Sequence, residues 1–465
     1  MQYLSTRGQT DSMTFTDAGL TGLAPDGGLL IPASIPDVSD QLADWADLPY
    51  DELAFEVFKR FTDISEASLQ ELVDRAYATF HHPQIAPSVK VGDRYVLELF
   101  HGPTLAFKDM AMQFLAQFFE YTLEKRDRHL NILGSTSGDT GSAAIHGVRG
   151  KSRINIFMMH PDGRTSPLQA LQMTSVLDDN VYNLAIDGTF DDCQRIMKTL
   201  FADGEFKAEF QLGAVNSVNW VRVMAQIVYY LYAGMRVMRE EGSDSVQFSV
   251  PTGNFGNILA GYYASQMGLP VKKLILATNE NDILTRFFQS GIYESGKVSH
   301  TISPSMDIQV ASNFERYLHV LLDGDCAAVR AAMETFRATG KLDLSARRAH
   351  PAFQLFASER VDTARTVATI QAVHRDHDYI LDPHTAVGVA AGDSLRAPGV
   401  PLICLATAHP AKFTAAIREA IGIAPTHPIL DALADAPTRC DKLPADEASV
   451  RRYLAEKLQT ENQPC

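Results

Sequence analysis

Short apolar runs alternate with longer amphipathic stretches along most of this chain, the rhythm of strands feeding helices. Runs of β type fall at 95–99, 130–133, 154–159, 181–186, 246–250, 274–278 and 402–407. The longest helical pattern covers 221–238, where Val223, Met224, Ile227, Val228 and Leu231 mark an amphipathic or buried helix. Gly268 is a natural C-cap before Leu269-Pro270, and the strand rhythm restarts at Val271. Residues up to about 88 stand apart: a Gly/Pro/Asp-rich opening, then helical patterns over 50–61 and 65–80, closed by Pro83 and Pro87. The alternation predicts an α/β fold with largely parallel sheets, and no internal repeat or low-complexity tract interrupts it.

The chain has 465 residues, too many for one simple core, so two or three domains are expected. A net charge of −15, from 41 basic and 56 acidic residues, argues against nucleic acid or an anionic membrane as partner. No apolar run approaches the roughly 18 residues of a membrane span, and the first residues lack the apolar core of a signal peptide. A cytoplasmic protein is expected. Its five cysteines, Cys193, Cys326, Cys404, Cys440 and Cys465, are scattered without CxxC spacing, so neither a disulfide framework nor a zinc site is indicated. His374 and His377, with Asp376 and Asp378, match no metal pattern and read as solvated surface residues.

Against that background Lys108 is conspicuous, one basic residue among Leu105, Ala106, Phe107, Met110 and Met112. Burial there would disfavour the ammonium form, and a helix starting at Asp109 would add its positive end to the effect. A free amine so placed can condense with a carbonyl, which makes Lys108 a candidate for a Schiff base with pyridoxal phosphate. The competing reading is a lysine that snorkels from an apolar segment with no chemical role.

Two loops carry the signature of anion binding. In Val250-Pro251-Thr252-Gly253-Asn254-Phe255-Gly256-Asn257, between an apolar strand and a helix, Gly253 and Gly256 free the backbone to wrap a phosphate at the helix N-terminus. The alternative is a tight turn with Asn257 as N-cap. The second loop, Gly134-Ser135-Thr136-Ser137-Gly138-Asp139-Thr140-Gly141, offers hydroxyls for a carboxylate or phosphate. Familiar alternatives fail: Thr136 stands where a nucleophile elbow needs Ser, Ile145 where a P-loop ending in Gly150-Lys151-Ser152 needs Gly, and neither loop is GxGxxG.

Taken together these segments resemble threonine synthase in its longer bacterial and fungal form, a pyridoxal-phosphate enzyme of the tryptophan synthase β fold. The resemblance runs in order through Tyr3-Leu4-Ser5-Thr6-Arg7-Gly8, Ala24-Pro25-Asp26-Gly27-Gly28, Ala106-Phe107-Lys108-Asp109, Gly138-Asp139-Thr140-Gly141, Asn216-Ser217-Val218-Asn219-Trp220, Thr252 to Asn257, Met306-Asp307-Ile308-Gln309 and Asp382-Pro383-His384-Thr385-Ala386. It implies that Lys108 carries the cofactor, that Gly253, Asn254, Phe255, Gly256 and Asn257 hold its phosphate, and that Asp139 lies beside its ring oxygen. It also implies that Thr385 offers a hydroxyl to the pyridine nitrogen, which as a neutral partner would leave the ring a weaker electron sink.

For the substrate, O-phospho-L-homoserine, the resemblance assigns Thr136, Ser137 and Thr140 to its carboxylate and phosphate, and Asn216, Ser217 and Arg222 to its phosphate. From the residues alone Arg222 is either a guanidinium fork for phosphate or an ordinary surface ion pair. The expected architecture is two parallel-sheet α/β domains with the cofactor in the cleft between them, plus an N-terminal region. The expected division is 1–88, then 89–215 with Lys108 and the hydroxyl loop, then 216–465 with the phosphate loop. The expected reaction yields L-threonine and phosphate, with no metal, in a monomer or homodimer. Serine or threonine dehydration, cysteine synthesis, or a catalytically silent ligand-binding relative are the alternatives.

Overall fold

In the computed structural model, which describes residues 1–136 and 138–461, the apolar runs become the strands of two principal sheets. The larger has six strands in the order Phe356–Arg360, Val271–Thr278, Val246–Pro251, Leu402–Ala406, Arg94–Glu98 and Ser88–Val91. All neighbours are parallel except the last pair, an antiparallel edge. The smaller sheet has five parallel strands in the order Asp441–Pro444, Val181–Asp187, Ile154–Pro161, Leu130–Ser135 and Leu212–Gly213. Parallel neighbours need crossover connections, which cover both faces of a sheet with helices. Every residue of Val246–Pro251 is accordingly buried, including the polar Gln247 and Ser249 that alternate with its apolar positions.

The chain forms two compact units, Met1–Ala111 with Ser217–Pro425, and Met112–Asn216 with Thr426–Cys465. The linear division expected above does not follow these boundaries, and sheet pairing explains why. Arg94–Glu98 is zipped to Leu402–Ala406, with Tyr95 opposite Ile403, so Lys108 belongs to the same unit as the 252–257 loop. Asp441–Pro444 pairs with Val181–Asp187, so the end of the chain belongs to the other unit.

The N-terminal segment likewise forms part of the first unit. Tyr3–Ser5 pairs with Leu30–Pro32, Tyr3 donates to the Phe61 carbonyl at 2.9 Å, and its ring packs on Trp220 at 6.0 Å. Each unit has its own core. Val96, Ile275, Val387, Val389 and Cys404 anchor one, and Leu133, Phe157, Ile186, Ile196 and Leu454 the other. Among the described residues no helix is long and apolar enough to cross a membrane.

Candidate functional site

In the larger unit the Lys108 turn and the 252–257 loop follow the C-terminal ends of the parallel strands Arg94–Glu98 and Val246–Pro251, the end at which open α/β sheets bind ligands. Lys108 is the last residue before the helix Asp109–Lys125. Its turn is pinned to the segment after Leu402–Ala406: Phe107 N–H donates to the Thr407 carbonyl at 2.8 Å and His409 N–H to the Leu105 carbonyl at 3.0 Å. Leu105 adopts a left-handed φ of 57°, costly for a branched residue and sustained by these bonds.

Asp109 closes the turn, accepting the Thr104 N–H and hydroxyl at 2.8 Å each, while Lys412 Nζ donates to the Thr104 carbonyl at 2.7 Å. Burial pushes the Asp109 carboxyl up to about 6, against the opposing pull of Thr104 and Lys412. Lys108 itself is half-buried, less enclosed than the apolar sequence around it implied. Leu105, Ala106, Asp109 and Met110 take the inward positions of the turn instead.

The 252–257 loop has the shape of an anion cradle. A Cβ at Gly253 would stand 2.6 Å from the Ser305 carbonyl oxygen, so only glycine lets the two backbones approach. Phe255 is left-handed, with φ 66°, and precedes the helix Gly256–Gln266, whose first N–H groups have no intrahelical partner. Asn257 lies inside this helix, and Phe255 occupies the N-cap position, so the reading of Asn257 as N-cap is corrected. Asn257 Oδ1 accepts from Tyr229 at 2.7 Å and Tyr230 at 2.8 Å, whereas its Nδ2 is buried with no partner among the described residues. The Asn254 carbonyl is held from behind by Asn313, through its N–H at 3.1 Å and Nδ2 at 3.2 Å.

Asn313 also fixes the neighbouring segment, donating from Nδ2 to the Ser217 carbonyl at 3.0 Å. The buried Arg316 supports it, bonding Asn313 Oδ1 at 2.6 Å, the Val218 carbonyl at 2.5 Å and the Leu30 carbonyl at 2.8 Å. Ser217 Oγ lies 2.7 Å from Ser312 Oγ. Asn219 caps the helix Trp220–Glu241, and Arg222 sits in its first turn. The Arg222 side chain is buried, so the surface ion pair is excluded. Its Nε and Nη1 have no hydrogen-bond partner among the described residues, and burial lowers its pKa to about 10. A buried guanidinium left in this state is a site for an anion.

Thr385 is buried in the first turn of the helix Pro383–Leu395. Its hydroxyl donates to Asp382 and accepts the Thr407 N–H at 3.3 Å. The neighbouring His384 accepts the Ser305 N–H at 3.2 Å. Contacts thus run without a break from the Lys108 turn through Thr407 and Thr385, then His384 and Ser305, to Gly253, Asn254, Asn313 and Ser217.

The smaller unit carries the hydroxyl loop. Asp139 opens the helix Asp139–Val148, is buried, and accepts from Gln169 Nε2 at 2.8 Å. Thr140 is half-buried beside it, and Asn216 lies half-buried at the end of the unit's first segment. The Thr136 hydroxyl accepts from the N–H groups of Gly138 and Gly141 at 3.0 Å each and donates to the Gly138 carbonyl at 3.1 Å. Its bonding capacity is therefore used in bracing its own loop. Ser137, the remaining candidate, lies outside the described residues.

The sequence alone assigned no role to Asp382, Ser305, Asn313, Arg316 or Lys412. Asp382 opens the 382–386 motif, and Ser305, Asn313 and Arg316 lie one to seven positions outside 306–309. Lys412 had no local signal at all, since its partner Thr104 is 308 positions away.

The donor set suits a phosphorylated pyridine aldehyde: an amine at a helix N-terminus, a glycine cradle at a second helix N-terminus, an Asn257 amide unpartnered among the described residues and a buried hydroxyl. Three family models match the chain. The threonine synthase N terminus covers residues 2–77, the pyridoxal-phosphate dependent enzyme family 80–400, and the threonine synthase C-terminal model 385–454. Threonine synthase of Pseudomonas aeruginosa is 47% identical, with 98% of each chain covered. That of Schizosaccharomyces pombe is 46% identical over 90% of this chain and 89% of its own. Among solved structures, the PLP-bound threonine synthase from Brucella melitensis superposes with a TM-score of 0.95 at 42% identity, covering 99% of this chain and all (100%) of that one. Threonine synthase from yeast gives 0.94 at 40% identity over 99% of both.

Proposed function

This chain belongs to the threonine synthase family of pyridoxal-phosphate-dependent enzymes, and on that premise we propose that it converts O-phospho-L-homoserine and water to L-threonine and inorganic phosphate. The observation that carries the substrate assignment is Arg222, a buried guanidinium at the start of a long helix with two nitrogens unpartnered among the described residues. A phosphate ester supplies what that cation lacks.

Pyridoxal phosphate, when bound, supplies an aldehyde that condenses with amines and a ring that draws electrons from carbons next to the substrate nitrogen. Lys108 holds the aldehyde carbon at rest. Its released amine takes a proton from the substrate α carbon, and it moves a second proton at the β carbon, acting as base and then acid. Gly253, Asn254, Phe255, Gly256 and Asn257 grip the cofactor phosphate through backbone N–H groups and the Asn257 amide. Asp139 attends the ring oxygen.

Arg222, Ser217 and Asn216 hold the substrate phosphate as the bond from the γ carbon to oxygen breaks and negative charge gathers on the leaving oxygen, the moment at which fixed donors are most effective. Thr140 and Ser137 bind the substrate carboxylate, with Thr136 shaping their loop. The proton taken from the β carbon is delivered to the γ carbon, which becomes the methyl group; water then adds its hydroxyl at the β carbon and gives its other proton to the departed phosphate, and Lys108 returns a proton to the α carbon. The same reading makes the partners of this chain small molecules in the cytoplasm.

Release of phosphate tests the assignment. Purified holoenzyme given phosphohomoserine should liberate inorganic phosphate and threonine in equal amounts, and given serine should form little pyruvate. Pyruvate without phosphate release would move the assignment to a dehydratase, and neither product would indicate a silent relative.

A further inference from the structure

The bonding of Thr385 fixes which way its hydroxyl can serve a ring nitrogen. Asp382 has four donors around it. Oδ1 lies 2.9 Å from His384 N and 2.9 Å from His384 Nδ1, while Oδ2 faces Thr385 N at 3.3 Å and the Thr385 hydroxyl. The His384 ring is oriented by its far side: Nε2 accepts the Ser305 N–H at 3.2 Å, so the ring proton is on Nδ1 and points at Asp382. Both oxygens of Asp382 are therefore acceptors. The Thr385 hydroxyl has one proton, given to Asp382, and two lone pairs, one of which takes the Thr407 N–H at 3.3 Å. What remains is a lone pair.

We propose that Asp382 is a positioning residue that turns Thr385 into a hydrogen-bond acceptor, so that the site selects the cofactor with a proton on its pyridine nitrogen. This rests on the proposed function and on the placement of Thr385 against that nitrogen that the resemblance to threonine synthase implies. It reverses the expectation drawn from the threonine alone, in which a neutral hydroxyl leaves the ring unprotonated. A carboxylate one bond removed, with the hydroxyl as intermediary, supplies the bias that a direct carboxylate partner would supply. The protonated ring is the stronger electron sink, which suits chemistry at two successive carbons.

Asparagine at position 382 gives the sharpest test. It still caps the helix, and the two His384 donors require its oxygen, so its amide nitrogen must face Thr385 and donate to it. The Thr385 proton is then released toward the ring, and the selection inverts. The protein loaded with nitrogen-labelled pyridoxal phosphate is followed by nitrogen NMR, without turnover. The parent should show the ring nitrogen protonated, and Asp382→Asn should shift it to the unprotonated position.

Thr385→Ser should match the parent. Thr385→Val, which removes the acceptor and leaves the cap intact, should behave like Asp382→Asn and stands in for it if that variant does not fold. An unprotonated parent, or a signal unchanged in both Asp382→Asn and Thr385→Val, would overturn the proposal. Failure of the phosphohomoserine assignment is read separately, as absent phosphate release by the parent enzyme.

Discussion

Replacing Arg222 by methionine should strengthen the empty protein and weaken its grip on phosphate. The guanidinium is buried with Nε and Nη1 unpartnered among the described residues, and burial lowers its pKa well below the ordinary guanidinium range, to about 10. Since a tenfold change in proton affinity is worth about 1.4 kcal/mol, the buried charge costs the phosphate-free fold about 3 kcal/mol. A cation whose pKa falls on folding opposes folding at every pH below its folded value, here about 10, and the cost fades only above that. Methionine fills much of the same space without the charge, so Arg222→Met should unfold at a higher urea concentration in phosphate-free buffer, by up to about 3 kcal/mol.

Phosphate reverses the order. Hydrogen bonds from a desolvated guanidinium to a phosphate dianion are worth about 2–5 kcal/mol, so the dissociation constant of the variant for inorganic phosphate should rise at least about thirtyfold. Phosphate at a hundred times the parent's dissociation constant should stabilise the parent by about 2.7 kcal/mol and the variant by no more than about 0.9 kcal/mol. The assay is the urea midpoint of both proteins with and without phosphate. A variant that is weaker without phosphate yet equally stabilised by it would refute the argument, because the arginine would then be structural.

Three further outcomes follow from the same geometry. Lys108→Ala should bind pyridoxal phosphate without covalent attachment, leave nothing for borohydride to fix, and lose turnover at least about a thousandfold; normal turnover would remove Lys108 from the chemistry. Gly253→Ala puts a methyl 2.6 Å from the Ser305 oxygen, so cofactor affinity measured by fluorescence should fall about tenfold or more while the far-ultraviolet spectrum stays that of the parent. For Asp109, whose carboxyl rises from 3.8 to about 6 on folding, the folded state holds more protons between those values, so the stability of the parent should fall relative to Asp109→Asn as pH climbs through that window and run parallel above it. Parallel curves from pH 4 to 7, roughly the same window, would show that Asp109 does not titrate there.

Much of the fold was legible because both principal sheets are mostly parallel and buried on two faces, which makes most of their strands predominantly apolar, with a few buried polar residues such as Gln247 and Asn183. The runs at 130–133, 181–186 and 246–250 became Leu130–Ser135, Val181–Asp187 and Val246–Pro251. The helix expected over 221–238 became Trp220–Glu241. Strands at the margins escaped notice. Asp441–Pro444 and Ser88–Val91 are edges, half wetted and rich in polar residues, so neither shows an apolar run. Lys108 and the 252–257 loop stood out as candidates because a lysine among apolar residues and paired glycines between a strand and a helix look out of place locally.

By itself the sequence determined the α/β class, the cofactor chemistry and the local loops, since each depends on neighbours within a few positions. Only the tertiary structure decided which strand lies beside which, and so which loops share a unit. It placed Lys108 with the 252–257 loop because Arg94–Glu98 pairs with Leu402–Ala406, some three hundred positions away, a pairing set by burial of both faces and invisible in local pattern. It also decided the state of individual groups. Whether Arg222 is a surface ion pair or a buried unpartnered cation, and whether Thr385 gives or takes a proton, depends on desolvation and on the direction of single hydrogen bonds, and these exist only once the chain has folded.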